Sequence, residues 1–96
     1  MKVTIVGSHL CPNTLYALTK CKDASLQVHF VDLSGSLSDL KRFLALHEHE
    51  ALYATYREAS GKDDYAVNGA IGLPCFLLED GSKTLDLNRV LEQANQ

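Results

Sequence analysis

The chain of 96 residues lacks the features that mark several classes of protein. It has no apolar run approaching the ~20 residues needed to span a bilayer. Its first residues lack the long apolar segment and small-residue cleavage site of a secretion signal. It also has no repeats, linkers or low-complexity segments. We therefore expect one domain over residues 1–96, cytoplasmic and without a membrane partner.

Cysteine and positive charge are both scarce. Three cysteines, an odd number and widely spaced, argue against a secreted disulfide framework and favour a reducing compartment. A formal net charge of -3 supplies no basic excess for a phosphate backbone, so nucleic acid is not an expected partner. No arginine lies near Cys11 in the sequence, which disfavours an oxyanion-binding enzyme of the phosphatase or arsenate reductase type.

The stretch from 2 to 15 combines a strand with a cysteine at the start of a helix. The β-branched residues Val3, Ile5 and Val6 are typical of a buried strand, and the run breaks at 7 and 8. Cys11 stands directly before Pro12, a residue favoured in the first turn of a helix because its missing N–H costs nothing there. We therefore expect the Cys11 side chain at a helix N-terminus, at the edge of a sheet.

That position has a chemical consequence for Cys11. Unpaired backbone N–H groups and the helix dipole favour a negative charge, so its pKa should fall below the roughly 8.5 of a free cysteine. Thr14 follows three residues later on the same side of the first turn, where its hydroxyl can donate to the sulfur. Cys11 and Thr14 are therefore candidate catalytic residues. The alternative is that Cys11 is a buried and inert residue.

The remaining pattern alternates between strands and helices. Ser36 and Asp39 form a capping box at the start of a long helix that bends near 47–50, and Asp80-Gly81 is a strong hairpin signal. The pattern predicts strands at 2–6, 26–31, 75–78 and 83–85, helices at 12–22, 37–60 and 87–94, and a loop at 62–72. The predicted fold class is α/β, with a βαβ half and a ββα half in one four-stranded mixed sheet flanked by helices.

Three segments carry a family resemblance that covers nearly the whole chain. They are Cys11-Pro12-Asn13-Thr14 after the first strand, Gly72-Leu73-Pro74-Cys75-Phe76 far downstream, and the Asp80-Gly81 hairpin. Together they resemble the thioredoxin fold and, within it, the glutaredoxins. The first segment is similar to the glutaredoxin Cys-Pro-x-Cys motif, with Thr14 in place of the second cysteine.

The resemblance implies roles for particular residues. Cys11 is then the nucleophile and Pro12 its neighbour in the substrate site. Pro74 is cis and lies beside Cys11, while the Leu73 main chain pairs with the backbone of glutathione or of a substrate peptide. Asp86 is the one acidic residue at the position of the segment that holds the γ-glutamyl end of glutathione.

The function implied is that of a monothiol, glutathione-dependent thiol-disulfide oxidoreductase. Its partners are small thiols or protein mixed disulfides, its co-substrate is glutathione, and we expect a monomer without a metal. Two alternatives stay open. One is a module that binds an iron–sulfur cluster through Cys11 and glutathione across a dimer. The other is a thioredoxin-fold binding module that catalyses nothing.

Other chemically active side chains receive simpler interpretations. We expect Cys21 and Cys75 to be packed in the core, with a resolving thiol as the alternative for each. His9 is either a group that acts on the Cys11 thiolate or an exposed loop residue. The segment 47–50, which reads His-Glu-His-Glu, is interpreted as a solvated helix end rather than a metal site. Tyr53, Tyr56 and Tyr65 are expected in the core and its rim, with one of them a candidate for the substrate groove.

Overall fold

The computed structural model describes residues 1–60 and 72–95. Its elements are β1 (Lys2–Gly7), α1 (Pro12–Asp23), β2 (Gln27–Asp32), α2 (Leu37–His49), a 3-10 turn (Ala51–Tyr53), α3 (Ala54–Ser60), β3 (Cys75–Leu78), β4 (Lys83–Thr84) and α4 (Leu87–Ala94). The predicted loop at 62–72 lies outside the described residues except for Gly72. None of the helices described is long and apolar enough to cross a bilayer.

The four strands form one sheet in the order β2-β1-β3-β4. β1 and β2 are parallel, as expected from the helix between them, while β3 runs antiparallel to both β1 and β4. The α/β class with a four-stranded mixed sheet flanked by helices is thus confirmed. β1 extends one residue beyond the predicted run, because Gly7 still pairs with Asp32 at the end of β2.

The sheet has an apolar core on each face. One core packs the odd positions of β1 against α1 and α4 and contains Val3, Ile5, Ala17, Cys21, Phe76, Leu78 and Val90. The other lies between the sheet and the α2–α3 region and contains Val6, Val31, Phe43, Tyr53 and Cys75. Ile5 and Val6 point to opposite cores because successive strand residues face opposite sides of a sheet.

The predicted bend near 47–50 is present because Glu50 leaves the helical conformation. Glu50 is extended, with φ -82° and ψ 137°, and separates α2 from the 3-10 turn. Arg57 then donates from Nη1 to the carbonyl oxygens of His47 at 2.8 Å and of Glu50 at 2.9 Å. These bonds satisfy carbonyl groups that the end of α2 leaves without helical partners.

The helical spacing of Leu37, Leu40, Phe43 and Leu44 predicts one apolar face for α2, and the structure buries only part of it. Leu37 and Leu44 are 66% and 43% exposed, whereas Phe43 and His47 are buried. At 3.6 residues per turn, Phe43 and His47 lie on one stripe and Leu37 and Leu44 lie well to its side. The helix meets the sheet along that narrow stripe, so an apolar side chain beside the stripe remains in solvent.

The interpretation of His47 as part of a solvated helix end is wrong. The residue is 8% exposed, and its ring packs between Phe43 and Tyr53 with centroid distances of 5.6 Å and 5.5 Å. Its Nδ1 forms a 2.9 Å hydrogen bond with Glu48. The helix end is buried here because the chain turns back through the 3-10 turn and places Tyr53 against it.

The capping box at the start of α2 is formed in one direction only. The Ser36 hydroxyl accepts a 3.0 Å hydrogen bond from the Asp39 N–H, as predicted. The Asp39 carboxylate does not return the bond to Ser36 but accepts one of 3.2 Å from the Asp32 N–H. The start of α2 is thereby tied to the end of β2, close to the loop that precedes Cys11.

Candidate active site at the start of the first helix

Cys11 is the N-cap residue of α1, and Pro12 is the first residue of the helix, as predicted. The Cys11 N–H donates to the Ser8 carbonyl at 3.0 Å, and the Cys11 carbonyl accepts from the Leu15 N–H at 3.1 Å. The first bond closes a turn between β1 and α1, and the second begins the helix. The cysteine is partly exposed, which contradicts the interpretation of a sealed and inert residue.

The surroundings of Cys11 favour its thiolate. Partial burial acts to raise the pKa, but the nearby Thr14 N–H, Thr14 hydroxyl and Asn13 N–H together lower the pKa of Cys11 below its ordinary value. These donors belong to the first turn of α1, where backbone N–H groups have no helical partner. The surroundings of the sulfur therefore favour the thiolate over the thiol at a partly exposed position.

Burial and the turn before α1 hold the Thr14 side chain in place next to Cys11. The side chain is fully buried, and its Oγ1 accepts a 3.3 Å hydrogen bond from the Ser8 N–H. With that lone pair occupied, the hydroxyl proton remains free for Cys11. Gly7 makes the position available, because a Cβ there would lie only 2.5 Å from Thr14 Oγ1.

Two side-chain pairs anchor the turn before Cys11 to the end of β2. His9 forms a 2.7 Å bond from Nδ1 to Asp32 Oδ2 and donates its backbone N–H to Asp32 Oδ1 at 3.3 Å. The hydroxyls of Ser8 and Ser34 are 2.6 Å apart. His9 is not among the groups that shift the pKa of Cys11. The His9 side chain pairs with Asp32, and not with the thiolate. Sequence reasoning missed this pairing.

A cleft of about 420 Å³ borders the start of α1. Its lining in the described part of the chain consists of Asn13, Tyr16, Ala17, Leu73, Pro74, Phe76, Leu85, Leu87 and Asn88. Pro74 and Asn13 share this lining, which brings Pro74 to the end of α1 that carries Cys11. The Leu73–Pro74 peptide bond is cis, as expected. Cys11 precedes Asn13 by two residues and lies just outside the lining.

The Leu73 main chain has capacity for a ligand. In the described part of the chain, no hydrogen bond uses the N–H or the carbonyl oxygen of Leu73, although Gly72 and Cys75 on either side are bonded or paired. A residue with both groups free can form a two-bond antiparallel bridge with an extended peptide. The binding role of Leu73 stays a prediction.

Asp86 occupies a different place from the other predicted binding residues. It is the N-cap of α4, and its carboxylate accepts a 2.9 Å hydrogen bond from the Asn88 N–H. Its neighbours Leu85 and Leu87 line the cleft, while Asp86 does not. Asp86 therefore caps α4, a role typical of Asp before a helical pattern, and its contact with a ligand stays a prediction.

Tyr16 and Asn88 line the cleft but were not predicted as site residues. A signal for Tyr16 exists in the sequence, because Asn13, Tyr16 and Ala17 are three and four residues apart and so share one face of α1. None of the predicted tyrosine candidates lines the cleft among the described residues, and Tyr65 lies outside them. Asn88 has no local signal, since its approach to α1 depends on how α4 docks on the sheet.

The two other cysteines are fully buried, one in each core. Burial raises the pKa of Cys21. Burial also raises the pKa of Cys75, against a smaller opposing effect of the hydrogen bond with Tyr53. Their predicted packing is confirmed, and neither offers an exposed second thiol. Among residues 1–60 and 72–95, no three His, Cys, Asp or Glu side chains come together in a group that could hold a metal ion.

Comparison with known proteins adds one relative of similar length. A protein of Haemophilus influenzae described as an uncharacterized protein is 28% identical over 89 residues, which cover 93% of this chain and 93% of the relative. No protein-family model matches the chain, and no solved structure matches it.

Proposed function

We propose that the chain is a glutaredoxin-like protein with a thioredoxin-like fold that exchanges thiols and disulfides through Cys11. The observation that carries the proposal is the Cys11 sulfur itself, which is partly exposed at the start of α1 and whose pKa is lowered by the neighbouring groups of Thr14 and Asn13. The sheet order and the place of Leu73 and Pro74 in the adjacent cleft support it further.

The reaction has two exchanges. The Cys11 thiolate attacks the glutathionyl sulfur of a mixed disulfide between glutathione and a protein or small thiol. The S–S bond of that disulfide breaks, an S–S bond from Cys11 to glutathione forms, and the released thiolate takes a proton from water. A second glutathione thiolate then attacks the glutathionyl sulfur, releases the Cys11 thiolate and leaves as glutathione disulfide.

The second thiol comes from outside the chain. Thr14 occupies the position from which a motif cysteine would close an internal disulfide, and both remaining cysteines are fully buried. Free glutathione in a reducing cytoplasm supplies the thiol that the chain lacks. The backbone of glutathione binds to the free N–H and carbonyl oxygen of Leu73. Pro12 and Asp86 lie at the borders of this binding site.

A pH series of alkylation rates tests the chemistry directly. The rate of iodoacetamide labelling is measured on the full chain and on Cys11→Ala, with Cys21→Ala and Cys75→Ala as matched controls. We expect one fast thiol with a midpoint below roughly 8.5, absent only from Cys11→Ala and protected by glutathione disulfide. A midpoint at or above that of a free cysteine in the full chain, with no transfer of glutathione to Cys11, would refute the proposal.

A further inference from the structure

Exposed apolar side chains are concentrated around Cys11. The large hydrophobic residues exposed in the described part of the chain are Met1, Leu10, Leu15, Tyr16, Leu37 and Leu44. Three of these six lie within five residues of Cys11. Leu10 is 74% exposed, Leu15 47% and Tyr16 58%. We call Leu10, Leu15 and Tyr16 the apolar rim.

The residues of the rim flank Cys11 along the chain and are exposed to solvent. Leu10 directly precedes Cys11, and Leu15 lies one helical turn after it, with its N–H bonded to the Cys11 carbonyl at 3.1 Å. Leu15 thus lies in the first turn of the helix that Cys11 caps. Tyr16 belongs both to the rim and to the lining of the cleft.

The charges of the described residues fit an uncharged occupant. The first turn of α1 has no acidic residue, and the lining of the cleft contains no charged side chain in the part of the chain that the structure describes. Lys20 places its ammonium 5.5 Å from the centroid of the Tyr16 ring, one turn further from Cys11. A charged side chain of a bound polypeptide therefore finds no ion pair in that lining, whereas an apolar segment finds matching surface.

We infer that the rim receives the polypeptide half of a glutathione mixed disulfide, and that Cys11 selects cysteines flanked by uncharged apolar residues. This inference rests on the proposed function. The thiolate attacks the glutathionyl sulfur, and the cysteine of the polypeptide leaves as a thiolate that water protonates. Grouped apolar side chains at the surface are typical of contact sites for apolar partners. A polypeptide substrate buries apolar area against the rim, which lowers the activation barrier for its reaction with Cys11. A mixed disulfide of a small thiol buries less area there, so its barrier is lowered less.

The test compares two glutathionylated peptides of equal length and charge. One has leucine on both sides of its cysteine, and the other has serine there. The second-order rate constant for removal of glutathione is measured for the full chain. We expect the leucine peptide to react about tenfold faster, which corresponds to partial burial of one or two leucine side chains.

Variants then assign this preference to the rim. In Leu10→Ser/Leu15→Ser we expect the ratio of the two rate constants to fall towards one. The control Leu37→Ser/Leu44→Ser removes two similarly exposed leucines from α2 and should keep the ratio of the unmodified chain. Circular dichroism of each variant confirms that it is folded. If Leu10→Ser/Leu15→Ser is not folded, the single variant Leu10→Ser, whose substitution lies in the loop before α1, replaces it in the test.

Each remaining outcome has a definite meaning. Equal rates for both peptides on the unmodified chain would overturn the inference and leave the proposed function standing. Absence of reaction with both peptides would remove the proposed function, and the inference with it. A dimer in sedimentation that Leu10→Ser/Leu15→Ser converts to a monomer would show that a second copy of this chain covers the rim, which also overturns the inference.

Discussion

The Tyr53 hydroxyl donates a hydrogen bond of 2.6 Å to the carbonyl oxygen of Gly72. Tyr53 is fully buried in the core beneath α2, and Gly72 directly precedes the Leu73–Pro74 segment of the cleft. Burial, with smaller contributions from Cys75 and Tyr56, raises the pKa of Tyr53 far above its ordinary value, so the phenol stays protonated and remains a donor. One core residue therefore positions the backbone at the candidate site.

Removal of this hydroxyl should destabilise the protein. In Tyr53→Phe the buried Gly72 carbonyl loses its partner, and we expect the free energy of unfolding to fall by about 1–3 kcal/mol. Urea denaturation measures the change. Tyr56→Phe is the matched control, because Tyr56 is half-buried beside Tyr53 and its hydroxyl forms no hydrogen bond in the described part of the chain. Similar losses in both variants would contradict the role assigned to the Tyr53 hydroxyl.

Gly72 should tolerate no side chain. Its φ is +82°, and a Cβ would overlap the Cε1 atom of Tyr53. Gly81 has a similar φ of +88° but open space around it, so Gly81→Ala isolates the cost of the backbone conformation, about 1–2 kcal/mol. We expect Gly72→Ala to add about 1–3 kcal/mol of overpacking to that cost. Equal unfolding midpoints for the two variants would show that the contact with Tyr53 adds nothing to the destabilisation by a side chain at position 72.

The Thr14 hydroxyl should set the reactivity of Cys11. In Thr14→Val the sulfur loses a donor, so we expect its pKa to rise and its alkylation at neutral pH to slow. The Ser8 N–H also loses its acceptor in a buried place, with a cost of about 1–3 kcal/mol in stability.

Thr19→Val is the control for Thr14→Val. It makes the same change in the same helix, where the exposed Thr19 hydroxyl donates to the Leu15 carbonyl instead. We expect its alkylation midpoint to match that of the unmodified chain. If the midpoint for Thr14→Val also stays unchanged, the hydroxyl does not stabilise the thiolate.

The pair His9–Asp32 should give stability a specific dependence on pH. Slight desolvation acts to raise the pKa of Asp32, but hydrogen bonds from His9 and the Ser34 N–H lower it below its ordinary value. A carboxyl whose pKa is lowered by folding stabilises the fold above its unfolded-state value of about 3.9, and this contribution is lost as the pH falls through the folded-state value.

Asp32→Asn measures that contribution. The difference in unfolding free energy between the unmodified chain and Asp32→Asn should be largest near neutral pH and should shrink as the pH falls below about 4. Asp23→Asn, at the exposed end of α1, provides a matched removal of charge. A difference for Asp32→Asn that stays constant across this range would show that the pairing with His9 does not stabilise the carboxylate.

Much of the site could be predicted because residues close together in the sequence determine its structure. Cys11 is the N-cap of α1 because Pro12 begins the helix, and Thr14 affects the pKa of Cys11 because it follows within one helical turn. Ser36 caps α2 and Asp86 caps α4 for similar reasons. The resemblance to the glutaredoxins correctly indicated the cis bond at Pro74. The fold class followed from the alternation of strand and helix patterns.

The errors and omissions arose where separate elements meet. The segment 47–50 reads as a solvated helix end because its spacing does not form a metal site, yet the chain turns back and buries His47 against Tyr53. Leu37 and Leu44 match an apolar helix face, yet the sheet contacts only the stripe beside them.

Local sequence thus accounts for the strands, the caps and the acidity expected of Cys11, since residues within one turn or one hairpin set them. The bond from His9 to Asp32, the bond from Tyr53 to Gly72, and the approach of Tyr16 and Asn88 across the cleft join residues from different elements. Such contacts depend on how helices dock on the two faces of the sheet. That docking is a property of the whole packed core, and no short segment encodes it.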